Sequence, residues 1–417
     1  MTEGWRKDFR FLWAGETGSL IGTEVNQLAV PLTAVLTLHA TPGQLGLLGA
    51  VTYVPYLVLG LPAGLLVDRL RRRGVLIVSN LCQAVAIGAV PLLAALDRLT
   101  FAWLLTLACA AGTARVFFTI AYRSYLPAIV PAEHLTGANS RLTASESGAQ
   151  IGGPGLGGLL VQIVGAPFTL IVDAVSYLAS AAGVAAVGRR EKQAEADRTP
   201  LRSRIAEGFR FTFADPYLRA FLGEAASYNI CWQLVQTVLV LFAVRELGMR
   251  PGTLGLMISI GAVGALLGAV VTGRLAVRIG LGRTLLAAAV IGDLAPLLLP
   301  AAHRGVWAAP MFAAAFFVQG FGITACNVHT MTVRQAVTPD RLLGRANAAY
   351  LFVAQGVKPL GSLAGGWIGA QAGPRTALLV GTLGLLSTSL FLILSPLGRI
   401  RALGSLLPGN SAPAPVP

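Results

Sequence analysis

The chain has 417 residues, of which 55% are hydrophobic and only 12% charged, with a net charge of +14 and a mean hydropathy of +0.69. Soluble domains carry about 25% charged residues, so a water-soluble enzyme, a disordered chain and a fibrous protein are excluded. At about 20 residues per crossing, twelve membrane helices take about 240 residues, which leaves loops and tails but no large soluble domain. The composition is that of a polytopic helical membrane protein.

In chain order, apolar runs fall at 11–37, 44–67, 75–96, 100–121, 140–164 and 168–187, and then at 218–243, 252–273, 284–302, 306–327, 344–371 and 376–395. The charged head Met1–Arg10 has no small-residue cleavage site, so the first run reads as a span and not as a removable signal. The pattern predicts an N-terminal six-helix half (1–187), a cytoplasmic linker (188–217) with some helix near Ile205–Phe213, and a C-terminal six-helix half (218–396). A cytoplasmic, partly disordered tail (397–417) follows, rich in proline.

The basic residues test the span count. With a cytoplasmic N-terminus, 25 of the 32 Lys and Arg fall in inside segments and 5 in outside loops, while Arg115 and Lys358 fall inside spans. Such a bias in short loops is the positive-inside rule, and shifting the count by one span destroys it. The expected fold is therefore all-α, with twelve transmembrane helices and both termini cytoplasmic. The positive charge is spread over loops, not gathered on one soluble face, so nucleic acid is not an expected partner.

Sliding the chain on itself by 208–209 residues brings an internal repeat into register. Gly15, Glu16 and Ser19 meet Gly223, Glu224 and Ser227; Pro42, Gly43, Leu45 and Gly46 meet Pro251, Gly252, Leu254 and Gly255. Gly153, Gly157 and Gly158 meet Gly361, Gly365 and Gly366, and Gly165 meets Gly373. Six spans per half preserve orientation, so the repeats are parallel about an axis along the membrane normal. That architecture places a substrate site between the halves and suits rocking between two open states.

Six carboxyls fall within the expected spans: Glu16, Glu24, Glu146, Asp173, Glu224 and Asp293. A charge at the bilayer centre costs at least about 2.5–3.5 kcal/mol, so these side chains should face a cavity or a partner. Glu16 and Glu224 recur in the repeat near the cytoplasmic ends and suit hydrogen bonding or charge pairing. Glu24 and Glu146 sit deeper and are the candidates for carrying a proton or binding substrate, with Gln150 one turn beyond Glu146. Asp173 and Asp293 have less polar neighbours along the chain. Asn229 and Gln233 line one face of span 7, Lys358 aligns with Gln150 in the repeat, and Arg115 and Lys358 are candidate counter-ions. Six acids against two bases suggest a cavity that tolerates cations.

Cys82, Cys109, Cys231 and Cys326 lie in apolar runs without metal or redox spacing and read as buried, inert thiols. His39, His134, His303 and His329 lie in loops or at span ends with no ligand spacing. No catalytic residue, metal site or cofactor is expected, and no phosphate-binding loop is present to couple ATP hydrolysis.

Two motifs add chemistry. Between spans 2 and 3, Gly64-x-Leu66-x-Asp68-Arg69-x-x-Arg72-Arg73 places an acid among arginines at a helix end, where a charge pair can hold one conformation and break in the other. Gly64 would let two helices approach closely. In span 5, Gly153-Pro154-x-x-Gly157-Gly158 combines a proline, which removes a helix hydrogen bond, with glycines that thin the helix, predicting a bend and close packing. The second half lacks both the acid, replaced by Val277, and the proline, replaced by Ser362.

The first motif resembles the G-x-L-x-D-R-x-x-R-R loop of the major facilitator superfamily, and GPxxGG resembles the core of that superfamily's antiporter motif, found in exporters. With FRFLWAGETGSLIG at 9–22, LTGANS at 135–140 and EGFRF at 207–211, the chain resembles the drug and secretion exporter branch, which includes macrolide and enterobactin exporters. The family's span 4 proton-transfer pattern, R-x-x-Q-G, is not matched, because Gly112 precedes Arg115.

The resemblance implies a gating role for the Asp68 loop. It also implies a secondary active transporter of the bacterial cytoplasmic membrane, exchanging protons for amphipathic small molecules such as antibiotics, drugs or natural products and working as a monomer among lipids. Alternatives are a siderophore exporter, a lipid flippase or an importing symporter of the same fold, and, outside transport, a membrane scaffold or receptor. Phe117, Phe118, Trp232 and Phe317 are the ordinary aromatic residues of such a cavity.

Overall fold

In a computed structural model of the protein, residues 4–188 and 201–399 are described, apart from a few side chains that include Asp68. The first group of helices comprises α1 (Gly4–Leu32, running on into a π-helical turn at Thr33–Thr37), α2 (Pro42–Arg69), α3 (Arg72–Ala95), α4 (Phe101–Ile129), α5 (Leu135–Val164) and α6 (Ala166–Ala185). After α7 (Leu201–Ala214) come α8 (Pro216–Leu241, with a π-helical turn at Phe242–Glu246), α9 (Pro251–Ile279), α10 (Leu281–Leu294) and the short α11 (Leu298–Ala301). The last elements are α12 (Ala308–Val337), α13 (Asp340–Gly356), α14 (Lys358–Ala372) and α15 (Pro374–Ile393). No strand occurs among the described residues.

Nine helical stretches among the described residues are long and apolar enough to cross a membrane. Helix α1, helix α5 and the α13–α14 pair fall outside that set for a physical reason. The first two carry the acids Glu16, Glu24 and Glu146 together with many small polar residues, and the last is interrupted. The linker helix is longer than the expected Ile205–Phe213, and Asp215 caps the following α8 by accepting from the Tyr217 and Leu218 amides, both at 2.9 Å. The proline-rich tail lies outside the described residues beyond position 399.

The expected run at 344–371 is not one helix. It divides at Val357, where Pro359 offers no N–H to Gln355 and Gly356 adds conformational freedom. Helix α5 runs unbroken through Pro154 of GPxxGG. The break therefore lies in the half that lacks the GPxxGG proline.

Within the first group α1 packs on α5 and α6, α3 lies between α4 and α6, and α2 packs on α4. The second group repeats the scheme: α8 on α14 and α15, α10 with α12 and α15, and α9 on α12. The groups join mainly through α5 with α9 and α2 with α14, contacts that interchange under the repeat, while α7 rests on α13. Gly165 and Gly373 make the same turn in each half, with φ of +91° and +89°, a conformation that glycine alone adopts at little cost.

The apolar cores show how the groups meet. The largest runs through both, joining Leu28–Val35, Leu45, Leu48 and Val161 to Leu234–Ala243, Leu254 and Phe312. At the opposite end two separate cores form, one in each group: Phe9, Leu12, Val67, Tyr125 and Ile129 in the first, and Phe221, Leu281, Leu285, Val333 and Leu392 in the second. The expectation of four buried thiols needs correction, because Cys82 is exposed on α3. In a membrane protein an outward apolar face meets lipid, so an apolar run does not imply interior burial.

Candidate functional site

The two joints between the groups are built from the repeat's glycines. A Cβ added at Gly158 would lie 2.3 Å from the Pro251 carbonyl oxygen, and one at Gly255 would lie 2.2 Å from that of Pro154. At the other joint, a Cβ on Gly366 would lie 2.6 Å from the Gly46 Cα, and one on Gly46 would lie 2.7 Å from the Ser362 carbonyl oxygen. Pro154 and Gly158 correspond to Ser362 and Gly366 in the repeat, and Gly255 to Gly46, so one joint is the image of the other. Arg245 adds a tie at this end by donating to the Val35 carbonyl at 3.0 Å.

The same motif works on a second face. Gly153 lies beneath Glu24, whose Cβ would be 2.3 Å from an added Cβ, and Gly157 meets the Val25 Cα at 3.1 Å. Thus Gly153 and Gly157 seat α5 on α1, while Pro154 and Gly158 seat it on α9. Close packing, as expected, is the observed use of GPxxGG.

Farther along these helices the groups diverge. Gly60 and Gly64 on α2, Gly148 and Gly152 on α5, and Gly273 on α9 have nothing within 4 Å of an added Cβ among the described residues. The close helix approach expected at Gly64 is therefore absent in this state, because it lies at the end where the two cores are separate. In the loop itself Arg72 donates to the Ser124 carbonyl at 3.2 Å and Arg73 to that of Ala185, tying the start of α3 to the ends of α4 and α6. Arg69 is exposed. The Asp68 side chain, on which the gating expectation falls, lies outside the described residues, and its counterpart Val277 is 88% exposed.

Between joint and open end lie the charged candidates. Arg115 is exposed on α4, bracketed by Gly112, which packs on the Thr52 carbonyl, and by Thr119, whose hydroxyl lies 3.5 Å from that of Tyr56. This places its guanidinium beside α2, within Coulombic range of Tyr53 and Tyr56, and also of Glu16, Glu24 and Asp173. Glu146 and Gln150 are exposed on α5, and Glu24 is half-buried. Lys358, at the break before α14, holds its Nζ 4.9 Å from the ring centroid of Tyr53 in the other group.

The repeat makes this arrangement asymmetric. Gln233 lies over Gly361, 3.1 Å from an added Cβ, as Glu24 lies over Gly153. Gln150 is the partner of Lys358. The first half thus has an acid where the second has an amide, and the second a base where the first has an amide. Asn229 is occupied by its own helix, donating to the Ala225 carbonyl at 2.7 Å.

The remaining acids are held by neighbours from other helices. Glu16 on α1 accepts from Ser180 at 3.4 Å, and Ser180 accepts from Asn80 at 2.9 Å, linking α1, α6 and α3. Asp173 accepts from Asn26 and from the Ser176 hydroxyl, and Asp293 from Thr388 at 3.0 Å and Ser389 at 2.6 Å. The expectation of less polar surroundings for Asp173 and Asp293 is corrected here, because Asn26, Thr388 and Ser389 reach them from far away in sequence and Ser176 from the next turn. Glu224 is buried on α8, in Coulombic range of Asp293.

Several polar side chains around the candidate site were not legible in the sequence. Tyr53 and Tyr56 stood in an apolar run with only their hydroxyls as a signal, and Asn26 was hidden beside the more conspicuous Glu24. His329 lies inside α12, not at a span end, and is paired with Thr272 at 2.8 Å. EGFRF receives a structural account: Glu207 pairs with Arg345 on α13, and a Cβ on Gly208 would lie 2.6 Å from the Arg345 carbonyl oxygen.

A two-group helical bundle joined at glycine contacts, with charges between the groups, is the architecture of a membrane transporter. The family described as transmembrane secretion effector matches residues 5–416, and the chain belongs to this family of the major facilitator superfamily.

Similar proteins include the multidrug efflux pump Tap of Mycolicibacterium fortuitum, 27% identical and covering 84% of this chain and 86% of Tap. The enterobactin exporter EntS of Salmonella typhimurium is 24% identical, covering 97% of this chain and 95% of EntS. Among solved structures, a bacterial homologue of the iron transporter ferroportin in an inward-facing state shares the fold with a TM-score of 0.73 at 17% identity, covering 93% of this chain and 98% of that one. An inward-facing, unoccupied bacterial homologue of the lysosomal transporter Spinster matches with a TM-score of 0.72 at 16% identity, covering 96% and 98%. The protein is accordingly a multi-pass membrane transporter and not an enzyme.

Proposed function

We propose that this protein is a proton-coupled antiporter that exports amphipathic small molecules across a bacterial cytoplasmic membrane by alternating access. In this reading twelve helices cross the membrane with both termini inside. The moving bodies are residues 1–187 and 218–396, joined by the linker 188–217, with 397–417 as a cytoplasmic tail, and the unit is a monomer in lipid. The observation that carries it is the mirrored pair of glycine joints at one end, opposed by separate cores at the other. With the positive loops inside, the joints are the closed outer gate and the cleft opens inward.

Glu24 and Glu146 are the proton-carrying candidates, since Glu24 lies within Coulombic range of both Arg115 and Glu146, and Glu146 is exposed on α5. Substrate contacts fall to Gln150, Gln233, Asn229, Arg115 and Lys358. The Gly64–Arg73 loop, with Asp68, Arg69, Arg72 and Arg73, latches the inner end when the molecule turns outward. Glu16, Asp173, Glu224 and Asp293 brace each half. The export direction is supported by GPxxGG and by the efflux names of Tap and EntS.

The test is proton movement in inverted membrane vesicles, followed with a pH-sensitive dye as antibiotics, dyes and natural products are added. Substrate-triggered proton release, lost in Glu24→Gln or Glu146→Gln at equal abundance, is expected. Substrate movement that proceeds unchanged after the proton gradient is collapsed would overturn the coupling.

A further inference from the structure

The acid-rich composition suggests a cleft for cations, but the placement of the bases points the other way. Lys358 comes from the second half and reaches the Tyr53 ring of the first. Arg115 comes from α4 of the first half and stands beside the same tyrosine, positioned by the Gly112–Thr52 and Thr119–Tyr56 contacts on either side. Neither base makes an ion pair among the described residues.

The acids near Arg115, Glu16, Glu24 and Asp173, belong to α1 and α6 of the first half, whereas Lys358 enters from the second half with Arg115 in Coulombic range. Two like charges brought beside one tyrosine from opposite halves repel unless an anion lies between them. Lys358 also opens α14, directly after the helix break at Val357.

We propose that Arg115 and Lys358 form a split anion site, one base from each half with Tyr53 between them, and that the transported molecule is an amphipathic organic anion bearing a carboxylate or sulfonate. This rests on the export reading above and names the substrate class within it. The bound anion cancels the repulsion between the halves, so loading of the cleft and closure around the load become one event. Lys358 and Arg115 act as binding residues, and the face of Tyr53 holds Lys358 in place when the site is empty.

The experiment uses the purified full-length protein in a neutral maltoside detergent and a pair of xanthene dyes of opposite charge, carboxyfluorescein (anionic) and rhodamine 6G (cationic), with binding read by fluorescence polarisation. The wild type is expected to bind the anion more tightly. Lys358→Gln should weaken anion binding about tenfold or more, as expected for loss of a charged hydrogen-bonding partner. Lys358→Arg should stay within about threefold of wild type, and Lys358→Glu should reverse the order of the two dyes.

A purely structural lysine would not produce that reversal. Unchanged anion affinity in Lys358→Gln, preference of the wild type for the cation, or no anion binding at all overturns the proposal. Displacement of carboxyfluorescein by short-chain phosphatidylglycerol but not by excess benzenesulfonate would give the site to a lipid headgroup and overturn the small-molecule assignment. Anion binding in the expected order with proton-independent dye movement in vesicles removes the antiport reading and leaves the site standing.

Discussion

Replacing Gly158 by alanine adds one methyl group at one of the two tightest points of the α5–α9 joint. The new Cβ would lie 2.3 Å from the Pro251 carbonyl oxygen and 3.0 Å from its carbon, both backbone atoms that cannot rotate away. A carbon–oxygen contact settles near 3.3 Å at closest, so the two helices must part by about 1 Å. Overpacking of this kind costs about 1–3 kcal/mol, which shifts a two-state equilibrium by about 5- to 150-fold away from closure at this end.

Spin labels on cysteines replacing Val164 and Arg250, both exposed beside the joint, would report the change by double electron–electron resonance in a background lacking the four native cysteines. The distance distribution should move to longer values in Gly158→Ala, and further in Gly158→Leu. Gly152→Ala is the control, since its Cβ meets nothing within 4 Å and the substitution should only firm the helix. Identical distributions in wild type and Gly158→Leu, or an equal shift in Gly152→Ala, would refute the assignment of Gly158 to the gate.

Two further substitutions probe the frame around the cleft. Gly165→Ala and Gly373→Ala force a side chain into φ near +90°, so each should cost about 1–3 kcal/mol of stability and lower the thermal unfolding midpoint of the purified protein; midpoints unchanged in both would show that these turns relax freely. Gly208→Ala drives a methyl to 2.6 Å from the Arg345 carbonyl oxygen and should lift α7 off α13, seen as faster hydrogen exchange in 201–214. Glu207→Gln, which loses only a half-exposed ion pair with Arg345, should change that exchange far less, by under about 1 kcal/mol.

The membrane class, the internal repeat and the residues of both motifs were legible in the sequence. Hydropathy, loop charge and glycine spacing are local or periodic signals, and each repeats along the chain. Gly158 and Gly366 stood in register before any contact between them and α9 or α2 was visible. The acids were also conspicuous, because a carboxyl in an apolar run stands out against its neighbours.

What surrounds those acids was not legible. Asp293 has apolar neighbours in the chain, and only folding brings Thr388 and Ser389 to it from almost a hundred positions away. The break at Gly356–Pro359 and the continuous helix through Pro154 were likewise not legible, since a proline's effect on helix continuity depends on what the neighbouring helices pack against it. Above all, which end is closely packed and which is not, and the meeting of Lys358 with Tyr53 across the halves, are relations between the two groups. Composition and periodicity determine that two such halves exist; only the close approach of backbone to backbone at glycines lacking a Cβ decides where they touch, and therefore which charges share the cleft.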